Sequence, residues 1–127
     1  MNERILVVDD NPDSVTIMRT ILENKKYEVI VAGSGAEALA QVQNGHPDLV
    51  LLDIMMPEMS GLEVLQQIKE NAQTGRLPVI LVTAKTHDED VLSGYQYGAD
   101  YYITKPFTAK QLLYGIDLVL GKGESVA

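Results

Sequence analysis

Five side chains along this sequence carry complementary chemistry: the carboxylates of Asp9, Asp10 and Asp53, the hydroxyl of Thr83 and the ammonium of Lys105. Each stands just past the end of an apolar run, and the four runs differ in sequence position but not in character. Three carboxylates brought together repel one another and raise their pKa values. A hard divalent cation removes that conflict, and Mg2+ suits one or two carboxylates, a backbone carbonyl and retained waters. Lys105 adds a second positive charge facing the acids. Carboxylate, Mg2+, hydroxyl and ammonium together suit phosphoryl transfer to an aspartate. Asp53 would attack phosphorus in line, the metal and Lys105 would neutralise the equatorial oxygens, and Thr83 would donate to one of them. The bland alternative is a chance gathering of polar strand ends, against which stands the complementarity of charge across four of them. His46 and His87 fall on loops away from these positions and read as solvated.

These groups meet only if the runs before them lie side by side. Asp48-Leu49-Val50-Leu51-Leu52-Asp53 is the organising stretch: short, apolar and without polar alternation, it reads as a strand buried on both faces. Arg4–Val8 is a strand that stops at Asp9-Asp10. Asn11 is the expected N-cap and Pro12 the first position of a helix, with Val15, Met18 and Leu22 as its core stripe. Ile17 and Ile21 form a second stripe, displaced by roughly 100° or more at 3.6 residues per turn. It either widens the buried face or offers a docking surface. Tyr27–Ala32 is a second strand. Ser34 with Glu37 makes a capping box for a helix that closes at Asn44-Gly45. Ser60 with Glu63 makes another, for a helix through about Glu70, and 71–77 is polar loop. Pro78–Val82 is a fourth strand, ending at Thr83-Ala84. Thr86 with Glu89 is predicted to cap a fourth helix reaching about Tyr97, with Gly98 as terminator. Tyr101–Ile103 is a short fifth strand leading to Thr104-Lys105-Pro106-Phe107. Thr108 caps a last helix through about Leu120, and the rest is tail.

Strand and helix thus alternate five times, which right-handed crossovers turn into a parallel sheet with helices on both faces. Five such units suit a flavodoxin-like or Rossmann-like arrangement, and periodicity leaves the strand order open. In a parallel sheet all the carboxyl ends share one edge, where open α/β folds bind their ligands.

The bulk numbers agree with one globular domain. The chain has 127 residues, 46% of them apolar, and a net charge of −8. That charge argues against direct nucleic-acid contact, which needs a basic face. No apolar run reaches the eighteen or so residues that span a bilayer, so no membrane is expected. Met1–Arg4 leads into the first strand without a secretory signal. The absence of cysteine removes disulfides and thiolate metal sites and is compatible with a cytoplasmic location.

The ordered set Asp9-Asp10, Asp53, Thr83-Ala84 and Lys105-Pro106-Phe107 resembles the receiver domain of two-component response regulators, the CheY-like phosphoacceptor module. The likeness runs from residue 3 to about 121, so residues 1–121 are expected to form the domain and 122–127 a short C-terminal tail. It implies a flavodoxin-like (CheY-like) doubly wound α/β fold with strand order 2-1-3-4-5 and five flanking helices, an order for which CheY is itself a standard example. It implies Asp53 as the phosphorylation site, Mg2+ held directly by Asp10 and Asp53 and the Met55 carbonyl, with Asp9 acting mainly through water, and Thr83 and Lys105 on the phosphoryl group. It implies a cis Lys105-Pro106 peptide, which physics alone makes a minority form. Thr83 and Tyr102 would be the switch pair, Tyr102 turning inward on phosphorylation; the plainer reading of Tyr102 is a surface strand tyrosine. Tyr101 points to the other face by strand alternation.

The implied partners are a histidine kinase or histidine phosphotransfer protein docking near Ser14, Ile17, Pro106 and Phe107, and a downstream protein or an output domain beyond this chain. The output surface would be the fourth helix, fifth strand and fifth helix. Met55 and Lys85 offer no carboxylate or amide to orient water, so slow to moderate autodephosphorylation is expected. The chain reads as a stand-alone regulator or as a piece of a larger one.

Three rival readings compete. Gly33-Ser34-Gly35-Ala36-Glu37-Ala38 fits G-x-G-x-x-A after a strand. However, it follows the second strand, and the first turn carries acids that would repel a pyrophosphate. An aspartyl-phosphate phosphatase of the haloacid-dehalogenase class would need an acid where Met55 stands. A degenerate receiver acting as a constitutive binding module would not need the full set of acids, hydroxyl and lysine.

Overall fold

The structure, a computed structural model, describes residues 3–84 and 88–121. Ten elements alternate along it: β1 (Arg4–Val8), α1 (Pro12–Asn24), β2 (Glu28–Ala32), α2 (Gly35–Asn44), β3 (Leu49–Leu52), α3 (Gly61–Glu70), β4 (Val79–Thr83), α4 (Asp88–Gln96), β5 (Tyr101–Thr104) and α5 (Ala109–Leu120). The five strands form one parallel sheet in the order β2-β1-β3-β4-β5. The flavodoxin-like, doubly wound α/β expectation holds in class, order and element number.

Period-two alternation divides the core into two layers. Ile5 and Val7 of β1, with Leu49 and Leu51 of β3, pack beside Met18 and Leu22 of α1 and Leu112 and Ile116 of α5. Leu6 and Val8, with Val50 and Leu52, pack beside Val42 of α2 and Val64, Leu65 and Ile68 of α3. Strands β1, β3 and β4 lie inside the sheet and are buried almost throughout, which is why they carry unbroken aliphatic runs. Edge strands β2 and β5 keep half-exposed residues.

The second stripe of α1 splits: Ile21 packs against the core, whereas Ile17 is 53% exposed. Val15 is only half-buried at the rim of the same layer.

Local chemistry sets the helix ends. Asn11 accepts from the N–H groups of Asp13 and Ser14, and Ser60 with Glu63 forms the capping box of α3. Thr108 pairs with Gln111 in a second box at α5. At α2 the expected box is incomplete. Ser34 accepts from the Glu37 N–H, but the Glu37 carboxylate accepts from Gly33 instead of Ser34. With Ser34 fully extended (φ −153°, ψ 167°), the N–H facing the first turn belongs to the residue before it.

Limits of β2, β4 and β5 also move by a residue, β5 running on to Thr104. The Tyr27 N–H is taken by the Leu22 carbonyl at the end of α1, so β2 begins at Glu28. Pro78 has no N–H to donate, and β4 instead runs on to Thr83, paired with Thr104. The expected cap Thr86 lies outside the described residues. Gly98 (φ 104°) takes the left-handed turn after α4.

Candidate functional site

Backbone hydrogen bonds carry the ladder one residue beyond each strand. The Asp9 N–H donates to Ala32, that of Asp53 to Val8, and that of Lys105 to Thr83. Asp9, Asp53 and Lys105 are therefore fixed as firmly as strand residues, although each begins a loop. Thr83, the last residue of β4, is fully buried beside them. All four stand at the carboxyl edge of the sheet.

Asp9 and Asp53 are 2% and 6% exposed, so their charges need partners in the protein. The two acids solve this identically. Asp9 Oδ1 accepts from the Asn11 N–H and Asp53 Oδ1 from the Met55 N–H, both at 2.9 Å. Their Oδ2 atoms share one cation: Lys105 Nζ lies 2.6 Å from Asp9 and 2.9 Å from Asp53. Burial of Lys105 works against its charge, but hydrogen bonds and attraction from Asp9 and Asp53 outweigh it and raise its pKa above the ordinary lysine value. The lysine is held as a cation.

Asp10 is exposed at the mouth, and oxygens of Asp9, Asp10 and Asp53 lie within 4.8 Å of one another. Three oxygen ligands so close form an acidic pocket able to hold a hard divalent cation.

The Lys105-Pro106 peptide is cis. A groove of about 370 Å3 opens beside the ammonium, lined by Ser14, Ile17, Ala84, Lys105, Pro106 and Phe107. Met55 is 53% exposed at the start of the loop after Asp53. Tyr102 lies on the flank instead of in the pocket, half-buried against α4 with its ring 6.5 Å from that of Tyr95. Burial foremost, then the charges of Asp90 and Asp53, push its phenol up to about 12. Tyr101 packs in the opposite layer beside Tyr114.

His46 is exposed in the turn feeding β3, at the other end of the sheet. Lys85 and His87 lie outside the described residues.

Two participants go beyond the sequence-based expectation for the site itself, in which Ser14 is only a docking contact. Ser14 Oγ is a third acceptor for Lys105 Nζ, at 3.3 Å. Gly61 opens α3 so close to Asp53 that a β-carbon would collide with the Asp53 carbonyl. The first pair is separated by 91 positions, and the second reads simply as a helix start after Ser60.

The response regulator receiver domain model matches residues 5–117. The chain is 39% identical over its whole length to the alkaline phosphatase synthesis transcriptional regulatory protein PhoP of Bacillus subtilis, of which it spans 52%. It is 38% identical to protein PilH of Pseudomonas aeruginosa, over 92% of this chain and 97% of that one. A CheY-like receiver domain protein from Methanospirillum hungatei superposes with a TM-score of 0.89 at 33% identity, covering all of both chains. The chain spans about half the length of the regulators of the PhoP kind that it matches.

Proposed function

The chain belongs to the response regulator receiver domain family of two-component signalling proteins, and on that premise we propose that Asp53 takes a phosphoryl group from a phosphohistidine donor. The observation that carries this reading is Asp53 itself: buried, pinned by the ladder to β1, and bonded to a lysine shared with a second acid. In the transfer, the N–P bond of the donor breaks as an Asp53 O–P bond forms, and the imidazole keeps the electron pair. Lys105 then leaves the Asp53 oxygen for an oxygen of the phosphoryl group, and Asp9 retains its other side. The Thr83 hydroxyl donates to a second phosphoryl oxygen. The Met55 N–H holds the carboxylate in place.

The donor set Asp9, Asp10 and Asp53 fits Mg2+, with the Met55 carbonyl as a fourth protein ligand and Asp9 acting mainly through water. Bound there, the ion supplies positive charge against the oxygens of the transferring group.

The groove beside Lys105 suits the donor, a histidine kinase or a histidine phosphotransfer protein, with Ile17 and Phe107 as apolar contacts. Phosphorylation adds roughly −1.5 to −2 charge at Asp53. Thr83 and Tyr102 relay this to α4, β5 and α5, whose exposed Leu92, Tyr95, Tyr114 and Leu118 form the output surface. The target is a downstream protein or an output domain in a longer chain. The module works in the cytoplasm, without touching nucleic acid itself. Among the described residues no helix is long and apolar enough to cross a membrane. The chemistry is confined to its own phosphorylation and a slow to moderate autodephosphorylation, since the Met55 side chain orients no water.

The test is incubation with Mg2+ and acetyl phosphate followed by prompt intact-mass measurement. One phosphoryl adduct is expected, lost in Asp53→Asn and without Mg2+. Absence of an adduct together with absence of beryllofluoride binding would retire the reading.

A further inference from the structure

A lysine ammonium has three N–H donors, and three acceptors surround that of Lys105: Asp9 Oδ2, Asp53 Oδ2 and Ser14 Oγ. The third differs from the others in being neutral and in coming from α1 instead of a strand end. We propose that Ser14 is a positioning residue for phosphoryl recognition, its hydroxyl fixing the Lys105 ammonium at the mouth of the site once Asp53 is esterified. The inference rests on the phosphoacceptor reading above.

The placement of that hydroxyl is unusually secure. Ser14 is the third residue of α1, and its N–H donates to Asn11 Oδ1 at 3.2 Å. The Asn11 N–H in turn donates to Asp9 Oδ1 at 2.9 Å. One helical cap therefore sets the Ser14 oxygen relative to Asp9, and the side chain that carries it has a single rotatable bond to a heavy atom. Lys105, by contrast, reaches the site on a flexible four-carbon stem.

Phosphorylation removes one of the two ionic anchors of that stem. The esterified Asp53 oxygen no longer carries the charge that held the ammonium, and Asp9 alone remains as its ionic partner. A neutral oxygen on the far side then has a particular advantage. It accepts an N–H and limits the swing of the stem, but it leaves the positive charge unspent for the phosphoryl oxygens. A carboxylate at this position would compete for the charge. At 3.3 Å the contact is long in the resting state, and the reading expects it to tighten when the Asp53 bond is given up.

Calorimetric titration of the full chain with Mg2+ alone, then with beryllofluoride at saturating Mg2+, separates this role from a structural one. Ser14→Ala is expected to weaken beryllofluoride about three- to tenfold, the worth of one hydrogen bond, with Mg2+ affinity and thermal midpoint unchanged. Ser14→Thr, which keeps the hydroxyl, is expected to bind like the parent. The inference is overturned if Ser14→Ala binds beryllofluoride as the parent does, if it loses Mg2+ affinity in equal measure, or if Ser14→Thr loses as much. A parent protein that binds no beryllofluoride would overturn the phosphoacceptor reading instead, and this inference with it.

Discussion

Lys105 Nζ donates to Asp53 Oδ2 at 2.9 Å across 52 positions of sequence. In the resting protein the proposed nucleophile is thus neutralised by the cation proposed to receive its product. Such a pair gives a buried carboxylate the counter-charge that its removal from water requires. The same pair must open before the cation can serve the phosphoryl group. The site is poised by one bond that the reaction exchanges for another.

Removing the cation should separate the two roles. In Lys105→Ala the three acids lose their counter-charge, so Mg2+ should bind about three- to tenfold more tightly at the separations seen here. Beryllofluoride in the presence of Mg2+ should bind at least tenfold more weakly, because its charged hydrogen bond is gone. Calorimetry measures both. Parallel losses would mean that Lys105 organises the pocket instead of contacting the phosphoryl group.

The alkaline limb of stability should carry two marks. Folding raises the Lys105 pKa above its ordinary 10.5. The stability it contributes is complete below that value and is lost as pH rises through the higher folded value. Tyr102 is displaced from 10.0 to about 12; between those values the unfolded chain loses the phenol proton first, so stability falls with rising pH. Phenolate absorbance should show a component ionising at about 12. Tyr102→Phe should remove that late component, and its survival would assign it elsewhere.

Much of this was legible in advance because strand ends are marked twice, by the stop of an aliphatic run and by the polar residue after it. Asp9, Asp53, Thr83 and Lys105 could be aligned on one edge for that reason. The strand order could not be read from periodicity, since the alternation of β1 or β3 carries no label for its neighbour; the family resemblance supplied it. The Glu37 bond to Gly33 depends on a backbone angle at Ser34 that residue type does not fix. Ser14 beside Lys105 depends on where α1 crosses the sheet edge, which no local pattern encodes. The fate of Ile17 and Ile21 turned on the same packing: one apolar stripe was divided between core and solvent.

At the opposite end of the sheet, Asp100 should matter for folding and not for chemistry. Its Oδ2 accepts from the Val79 N–H at 2.8 Å and from Lys69 Nζ at 3.2 Å, tying the start of β4 to α3 and to the turn before β5. Asp100→Ala leaves a partly buried N–H unpaired and should cost about 1–3 kcal/mol in urea unfolding. Acetyl phosphate labelling under native conditions should match the parent. A labelling defect would show that the two ends of β4 are coupled.

Gly61 should be the reverse case, a backbone position on which the chemistry depends. It begins α3, its N–H donates to the Ile54 carbonyl at 2.9 Å, and its α-carbon faces the Asp53 carbonyl with no space for a methyl. In Gly61→Ala either α3 backs away or Asp53 moves, and both outcomes disturb a carboxylate held by the Met55 N–H and by Lys105. A loss of about 1–3 kcal/mol is expected from the overpacking. The labelling rate should fall roughly ten- to a hundredfold, since a displacement of this kind misaligns the nucleophile. Gly33→Ala is the matched control. Its added methyl would meet only the Glu37 carboxylate at ordinary contact distance, 3.7 Å, and should change stability by less than about 0.5 kcal/mol. If Gly61→Ala labelled and unfolded like that control, the loop after Asp53 would be yielding enough to absorb the methyl, and the fixed geometry assigned to the nucleophile would be wrong.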